Sequence, residues 1–180
     1  MGLACGGGGG SPAADPAPAP PPAASADVRL LMMGNSHTSL NALPQQLEAL
    51  LRSRGGRTVA TTVAPGWMFL DERLSDSASM NLLRGQTWSV VVLQAQKYST
   101  SGQFSYPTQQ AEELIRNARA SGATPVLFPE WPRRGVAETA RIYDLHVSIA
   151  QREAACVAPV GQAWDLALQR FPDLVLHDAD

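Results

Sequence analysis

The sequence is short of the features that define several classes of protein. It has 2 cysteines, Cys5 and Cys156, too few for a disulfide framework that would indicate a compartment. Its formal net charge is −2, so it has no basic surface of the kind that attracts nucleic acid. No apolar run approaches the length needed to span a bilayer. These absences disfavour a nucleic-acid-binding protein and an integral membrane protein.

Residues 1–27 lack the apolar side chains that a folded segment needs. They hold 6 of the 15 glycines and 6 of the 14 prolines, so we expect a disordered tether. Residues 3–6, Leu-Ala-Cys-Gly, resemble the end of a bacterial lipoprotein signal, in which Cys5 would carry the lipid. The positive and apolar regions of such a signal are missing. Either Met1 is a misplaced start within a longer signal, or Cys5 belongs to a low-complexity leader. The first interpretation implies an extracytoplasmic protein that meets the membrane only through Cys5.

Residues 28–180 alternate between short apolar runs and longer segments with helical periodicity. The predicted strands are rich in Val, Leu or Thr: Val28–Met33, Arg57–Ala64, Ser89–Leu93, Thr124–Phe128 and Cys156–Val160. The predicted helices lie mostly between them: Pro44–Arg54, Leu70–Arg84, Thr108–Ala120, Val136–Ala155 and Gln162–Arg170. This alternation favours a parallel sheet with right-handed crossovers. We therefore expect one flavodoxin-like, three-layer α/β/α domain with a five-stranded parallel sheet.

Ligand sites in such sheets lie beyond the carboxyl ends of the strands, where the strand order reverses. Three predicted loops therefore matter most: residues 34–39, 64–67 and 94–98, which follow the first, second and third strands. In a flavodoxin-like order the first and third strands are neighbours. We expect Ser36 and Gln94 to face each other across one crevice.

Gly34-Asn35-Ser36, directly after the first strand, resembles the nucleophile motif of the SGNH/GDSL hydrolase superfamily of serine esterases, in its Gly-Asn-Ser branch. The resemblance covers residues 28–180. It implies that Ser36 is the nucleophile and that the Ser36 backbone N–H is one oxyanion donor. Gly66 matches the glycine whose N–H is the second donor. The third family donor is an asparagine side chain. This sequence has no asparagine there, and we favour Gln94, with Gln96 as the fallback.

The superfamily's general base is a histidine in an Asp-x-x-His motif near the C-terminus. On this resemblance Asp180 is the triad aspartate, and its histidine and the terminal helix are missing from the sequence. The domain would then be C-terminally incomplete. His37 follows the nucleophile and His146 is expected within a helix, where a partly solvated structural role is commoner. His177 lies on the appropriate loop and is the best substitute base, although it precedes the aspartate.

Trp131 and Arg133 follow the fourth predicted strand and so overhang the same edge of the sheet. They are candidate substrate-rim residues, the tryptophan by stacking and the arginine by binding a carboxylate. The alternative is a solvated loop anchored by one aromatic side chain. Cys156 opens an apolar strand and is expected to be a small buried side chain. The number and spacing of the histidines predict no metal site.

The resemblance implies a serine ester hydrolase that needs no cofactor. Its substrate would be a small-molecule or glycan ester, such as an acyl group on a sugar or lipid. Two other functions stay open. A module of the same fold that lacks the base would bind a glycan or ester without turnover. A flavodoxin-like phosphate binder would use Ser36, Thr38 and Ser39 at a helix N-terminus, but it leaves Gly66 and the glutamines unexplained.

Overall fold

Five parallel strands form the central sheet of the protein. The computed structural model describes residues 26–177, with strands β1 (Val28–Met33), β2 (Val59–Val63), β3 (Val90–Gln94), β4 (Thr124–Phe128) and β5 (Cys156–Val157). Their order is β2-β1-β3-β4-β5. The order reverses between β1 and β3, which pair from Leu30 with Val90 to Met33 with Leu93. This confirms the predicted flavodoxin-like architecture and puts the ends of β1 and β3 side by side.

Helices lie on both sides of this sheet. Their bounds are α1 (Leu43–Ser53), α2 (Leu70–Arg73), α3 (Ser77–Gly85), α4 (Gln109–Ala120), α5 (Thr139–Arg152) and α6 (Val160–Arg170). Two 3-10 turns, Ser36–Thr38 and Leu40–Ala42, lie between β1 and α1. Pro44 stands in the first turn of α1, where its missing N–H costs no intrahelical hydrogen bond.

Most predicted bounds differ from the observed ones by one to three residues, and two of the differences have a clear local cause. The helix predicted over Leu70–Arg84 is two helices, because the Asp76 side chain caps a new one by accepting from Ser79 N at 2.8 Å. The predicted strand Cys156–Val160 stops at Val157, since α6 begins at Val160. Cys156 is exposed on this edge strand, so the prediction of a buried thiol is wrong.

The core fixes the ends of the two central strands. Met33 in β1 and Leu93 in β3 are completely buried, and so are Leu114 and Ile115 of α4, which belong to the same core cluster. Close packing of this kind leaves little freedom of position. The turns that follow β1 and β3 therefore start from fixed points.

Residues at both ends of the sequence fall outside the described range. Residues 1–25 of the predicted tether, its candidate lipidation residue Cys5, and Asp180 all lie there. Asp27 is described, and its carboxylate accepts from Thr58 N at 2.8 Å, next to β2. The folded domain therefore includes Asp27. Within residues 26–177, no helix has both the length and the apolar character needed to cross a membrane.

Candidate active site

Ser36 begins the 3-10 turn that directly follows β1. The Asn35 side chain caps this turn by accepting from His37 N at 3.0 Å, and the Thr38 hydroxyl donates to Asn35 O at 2.7 Å. Ser36 itself is half-buried at the carboxyl edge of the sheet. Thr38 is fully buried and its hydroxyl hydrogen is bonded to Asn35 O, so the side chain is not free to hold a phosphate. The geometry does not favour the phosphate-binder hypothesis.

Gln94, the last residue of β3, directly contacts the turn formed by residues 34–38. We call it the nucleophile turn, after the predicted role of Ser36. Its Oε1 accepts from Asn35 N at 3.0 Å, and its Nε2 donates to Glu130 Oε1 at 3.1 Å. The side chain is completely buried. A Cβ atom on Gly34 would collide with this glutamine and lie 2.7 Å from Thr38 Cγ2, which explains why glycine precedes the turn. Gln94 thus ties β3 to the turn that contains Ser36, and within residues 26–177 its second amide hydrogen has no acceptor.

Gln96, the fallback donor, lies one residue beyond a strained turn. Ala95 has a φ of 73°, in the left-handed region that alanine rarely adopts. The Gln96 amide nitrogen donates to Lys97 O at 3.0 Å and to Pro107 O at 3.1 Å. Since an amide nitrogen carries two hydrogens, these bonds use both. Within the described residues, one amide hydrogen of Gln94 is left without an acceptor, whereas both amide hydrogens of Gln96 have one.

Gly66 lies in the turn after β2 with a φ of 71°, a conformation that glycine adopts without strain. Within residues 26–177, neither its N–H nor that of Ser36 has a hydrogen-bond acceptor. Met68 N donates to Gly34 O at 3.4 Å, which joins the Gly66 turn to the nucleophile turn. The two backbone donors therefore belong to adjacent turns and are unused.

Arg73 ties these two turns together, a role that no local pattern in the sequence indicates. Its guanidinium is completely buried and donates to the carbonyl oxygens of Gly34, Pro65 and Gly66. It also donates to the Ser79 hydroxyl at 2.8 Å. Arginine in an amphipathic segment normally indicates a solvated face, so only the tertiary structure discloses this cluster.

His37 and Glu130 form a second polar contact beside the nucleophile. His37 Nδ1 lies 3.5 Å from Glu130 Oε1, long for a hydrogen bond but short enough for an ion pair when the imidazole is protonated. Through this contact, and then through its charge, Glu130 raises the pKa of His37, while partial burial opposes the rise. Glu130 thus touches both His37 and Gln94, a role that sequence reasoning missed.

The predicted rim residues lie at this edge of the sheet, and each is in contact with other side chains of the protein. Trp131 lies between two rings, tilted against His37 at 4.9 Å and stacked on Trp164 at 4.9 Å between centroids. Arg133 makes a two-pronged contact with the buried carboxylate of Glu138, at 2.9 and 2.8 Å. Trp131 is thus packed between two rings and Arg133 is paired with Glu138, and the substrate-rim role of both stays a prediction.

The other described histidines have structural partners. His146 is buried in α5, with Nδ1 2.8 Å from Ile142 O, and burial lowers the pKa of this imidazole. His177 Nε2 lies 2.9 Å from Pro132 O, and its ring packs edge-on against Trp164. In the described part of the chain, no side chain accepts a hydrogen bond from the Ser36 hydroxyl. Asp180 as the orienting aspartate and His177 as the substitute base stay predictions.

A cavity of about 370 Å³ adjoins the nucleophile turn through Glu130. Aromatic and polar side chains line it: Phe69, Gln96, Lys97, Tyr98, Thr100, Tyr106 and Glu130. Lys97 is paired with Asp71 at 2.6 Å and also lies over the Phe69 ring. Residues 26–177 contain no group of three or more His, Cys, Asp or Glu side chains arranged to hold a metal ion.

Several solved structures share this fold. A protein of Slackia heliotrinireducens assigned to the SGNH hydrolases is 27% identical, with a TM-score of 0.60 over 77% of this chain and 82% of that chain. TesA is 19% identical, with a TM-score of 0.55 over 84% and 86%. The esterase EstA from Pseudoalteromonas sp. is 12% identical, with a TM-score of 0.51 over 73% and 76%. No protein-family model and no curated protein matches the chain.

These similarities agree with the strand order and with the Gly34-Asn35-Ser36 motif at the end of β1. The similarities support the SGNH/GDSL hydrolase superfamily as the one that this chain resembles. Its structural neighbours include esterases.

Proposed function

We propose that the protein is a serine ester hydrolase that cleaves a carboxylic ester. The observation that carries this proposal is the pair of unused backbone N–H groups, on Ser36 and Gly66, in turns that Arg73 and Met68 hold together. Donors fixed in this way suit the charge that develops on a carbonyl oxygen under attack. The Gln94 amide is proposed as the third donor.

In the proposed reaction Ser36 Oγ forms a bond to the carbonyl carbon of the ester. A general base takes the hydroxyl proton and returns it to the leaving alcohol as the C–O bond breaks. The base then takes a proton from water, whose oxygen attacks the acyl carbon; the bond from that carbon to Ser36 Oγ breaks, the proton passes to Oγ, and the acid is released. We propose that the base is a histidine oriented by Asp180, with His177 as the substitute base.

The substrate is proposed to be an acyl ester of a sugar or lipid. The 370 Å³ cavity beside Glu130 has room for a small group, and the rings of Phe69, Tyr98 and Tyr106 give it apolar walls. No cofactor takes part in this chemistry. We also propose export from the cytoplasm, with attachment to the membrane only through a lipid on Cys5.

The test compares Ser36→Ala with Ser53→Ala in protein expressed from its complete reading frame. Hydrolysis of p-nitrophenyl acetate is expected to fall by about 10⁴-fold or more in Ser36→Ala, because the nucleophile is lost. Ser53→Ala is the matched control, since Ser53 is exposed at the end of α1, and it should keep its rate. Equal rates in wild type and Ser36→Ala would contradict the proposal. A wild type that binds an ester without turnover would favour the non-catalytic module.

A further inference from the structure

Arg73 is a buried cation that contacts backbone rather than acid. None of the ion pairs within residues 26–177 includes it, although Asp76 and Glu72 lie near enough to favour its charge. A guanidinium stays protonated in proteins even when buried. A full positive charge therefore sits inside the domain with carbonyl oxygens as its main partners.

The bonds of Arg73 are divided between the two turns that bear the proposed oxyanion donors. Nη2 donates to Gly34 O at 2.5 Å and to Gly66 O at 2.6 Å. Nη1 donates to Pro65 O at 2.6 Å. One planar group thus fixes the spacing between the turn that precedes Ser36 and the turn that contains Gly66.

The bond to Pro65 O also determines where the Gly66 N–H points. The Pro65 carbonyl and the Gly66 N–H belong to one peptide unit, which is trans, as are all the peptide bonds between residues 26 and 177. In a trans unit the C=O and N–H point in opposite directions. Because the carbonyl points at Arg73, the N–H of Gly66 points away from it.

The same bond strengthens that N–H as a donor. A cation on the carbonyl oxygen draws electron density through the peptide unit, and hydrogen bonds in series polarise one another. The effect is greatest where water is excluded, and Arg73 is completely buried.

We propose that Arg73 is a positioning residue for the oxyanion hole: it aims and polarises the Gly66 N–H and holds it at a fixed distance from Ser36. The inference deepens the proposed ester hydrolysis and rests on it. Arg73 does not touch substrate, so it acts on the transition state through Gly66. Its loss should lower kcat and leave KM nearly unchanged, because the oxyanion forms only after the substrate is bound.

The experiment measures kcat and KM for p-nitrophenyl acetate in Arg73→Met and Arg73→Lys, in protein expressed from its complete reading frame. Arg73→Met should lose about 10²-fold in kcat, the effect of one missing oxyanion donor. Arg73→Lys keeps the charge but not the fork, so it should lose less, about tenfold, with KM within about threefold of wild type in both.

Leu83→Ala is the control for lost stability. Leu83 is a fully buried core residue in α3 that makes none of the site's hydrogen bonds. It should lower the unfolding temperature and keep kcat within about twofold, since a cavity in the core does not act on the oxyanion. All rates are compared at a temperature at which circular dichroism shows each variant folded.

The result that overturns the inference is an Arg73→Lys or Arg73→Met enzyme, folded at the assay temperature, with wild-type kcat. A rise in KM at constant kcat would also overturn it. If Arg73→Met does not fold, Arg73→Lys decides the question alone. Ser36→Ala in the same assay separates the two failures, because a proposed function that is wrong leaves Ser36→Ala active.

Discussion

Two buried charges organise the functional edge of the sheet in opposite ways. In the nucleophile half, which comprises residues 34–36 and 65–66, the buried guanidinium of Arg73 donates hydrogen bonds to backbone carbonyls. In the rim half, residues 98–100 and 130–138, a buried carboxylate on Glu138 collects the side chains of Arg133 and Arg141. Both arginines also donate to Thr100 O, so this cluster ties the loop after β3 to the loop after β4.

The difference lies in what each charge holds and in its access to water. Arg73 fixes main chain, and its guanidinium is wholly buried. Glu138 is equally buried, but the side chains of Arg133 and Arg141 are 49% and 39% exposed. Solvent and salt screen exposed partners, and long side chains can move. We infer that the nucleophile half is the rigid part of the site and the rim half the adaptable one.

Gln94 joins the two halves, and among the residues other than Ser36 its removal is expected to have the largest effect on rate. Gln94→Ala should lower kcat by about 10²–10³, which is about 3–4 kcal/mol of transition-state stabilisation. It should also cost about 1–2 kcal/mol of unfolding free energy, because Asn35 N loses its acceptor. Steady-state kinetics and urea unfolding measure both. The comparison variant is Gln96→Ala. If Gln96→Ala has the kcat loss and Gln94→Ala does not, the donor assignment is wrong.

The second-largest effect is expected on stability, when Arg73 is replaced. Arg73→Met should lower the unfolding free energy by about 2–4 kcal/mol, because Gly34 O is left buried without this donor and two partly buried carbonyls also lose theirs. The loss should be the same from pH 4 to pH 9, because arginine does not titrate there. Urea unfolding at several pH values checks this. A loss that varies with pH would mean that a titrating partner, not the carbonyls, carries the interaction.

Glu138 should differ from Arg73 both in the size of the stability loss and in its dependence on pH. Glu138→Gln is expected to cost about 1–2 kcal/mol, less than Arg73→Met, because the arginines that it leaves behind can turn to water.

The hydrogen bond from Arg133 holds the pKa of Glu138 below its ordinary value. A depressed carboxyl pKa gives stability that is complete above the unfolded value of about 4.3 and is lost as the pH falls through the folded value. The difference between wild type and Glu138→Gln should therefore shrink below about pH 4.3. A constant difference would remove the contrast with Arg73.

The smallest expected effect concerns His37 and Glu130, where the halves meet. Glu130→Gln should lower the pKa of His37, because Glu130 is what raises it. A raised imidazole pKa stabilises the fold below the unfolded value of about 6.5, and this stability is lost as the pH rises through the folded value. His37 is 39% exposed, so the contribution should stay below about 1 kcal/mol. NMR titration of His37 tests this. An unchanged titration would show that the 3.5 Å contact is absent in solution.

The sequence predicts the sheet well because the central strands carry a local signal. Val28–Met33 and Thr124–Phe128 have the bounds expected from their apolar runs. Alternation with helices then implies the order that puts β1 beside β3, and so brings Asn35 to Gln94. Element boundaries were harder to predict. The break before α3, for example, depends on one cap, in which the Asp76 side chain accepts from Ser79 N.

The partners of the polar side chains could not be predicted, because they come from distant parts of the chain. Arg73 reaches Gly34 across 39 positions, and no pattern around either residue marks this pair. Gln94 was expected to face an oxyanion, and its acceptor role toward Asn35 was not foreseen. Arg133 was a candidate rim residue, and its pairing with the Glu138 carboxylate was not foreseen. Local pattern thus identifies which loops matter, and long-range contacts decide what each side chain does.

The most direct test of the account is covalent capture of Ser36. A phosphonate ester forms a stable tetrahedral adduct with an activated serine. We predict that protein from the complete reading frame gains one adduct by intact-mass spectrometry, that peptide mapping locates it on Ser36, and that Ser36→Ala gains none. Ester hydrolysis with no adduct on Ser36, or an adduct of equal yield on Ser36→Ala, would contradict the assignment of the nucleophile.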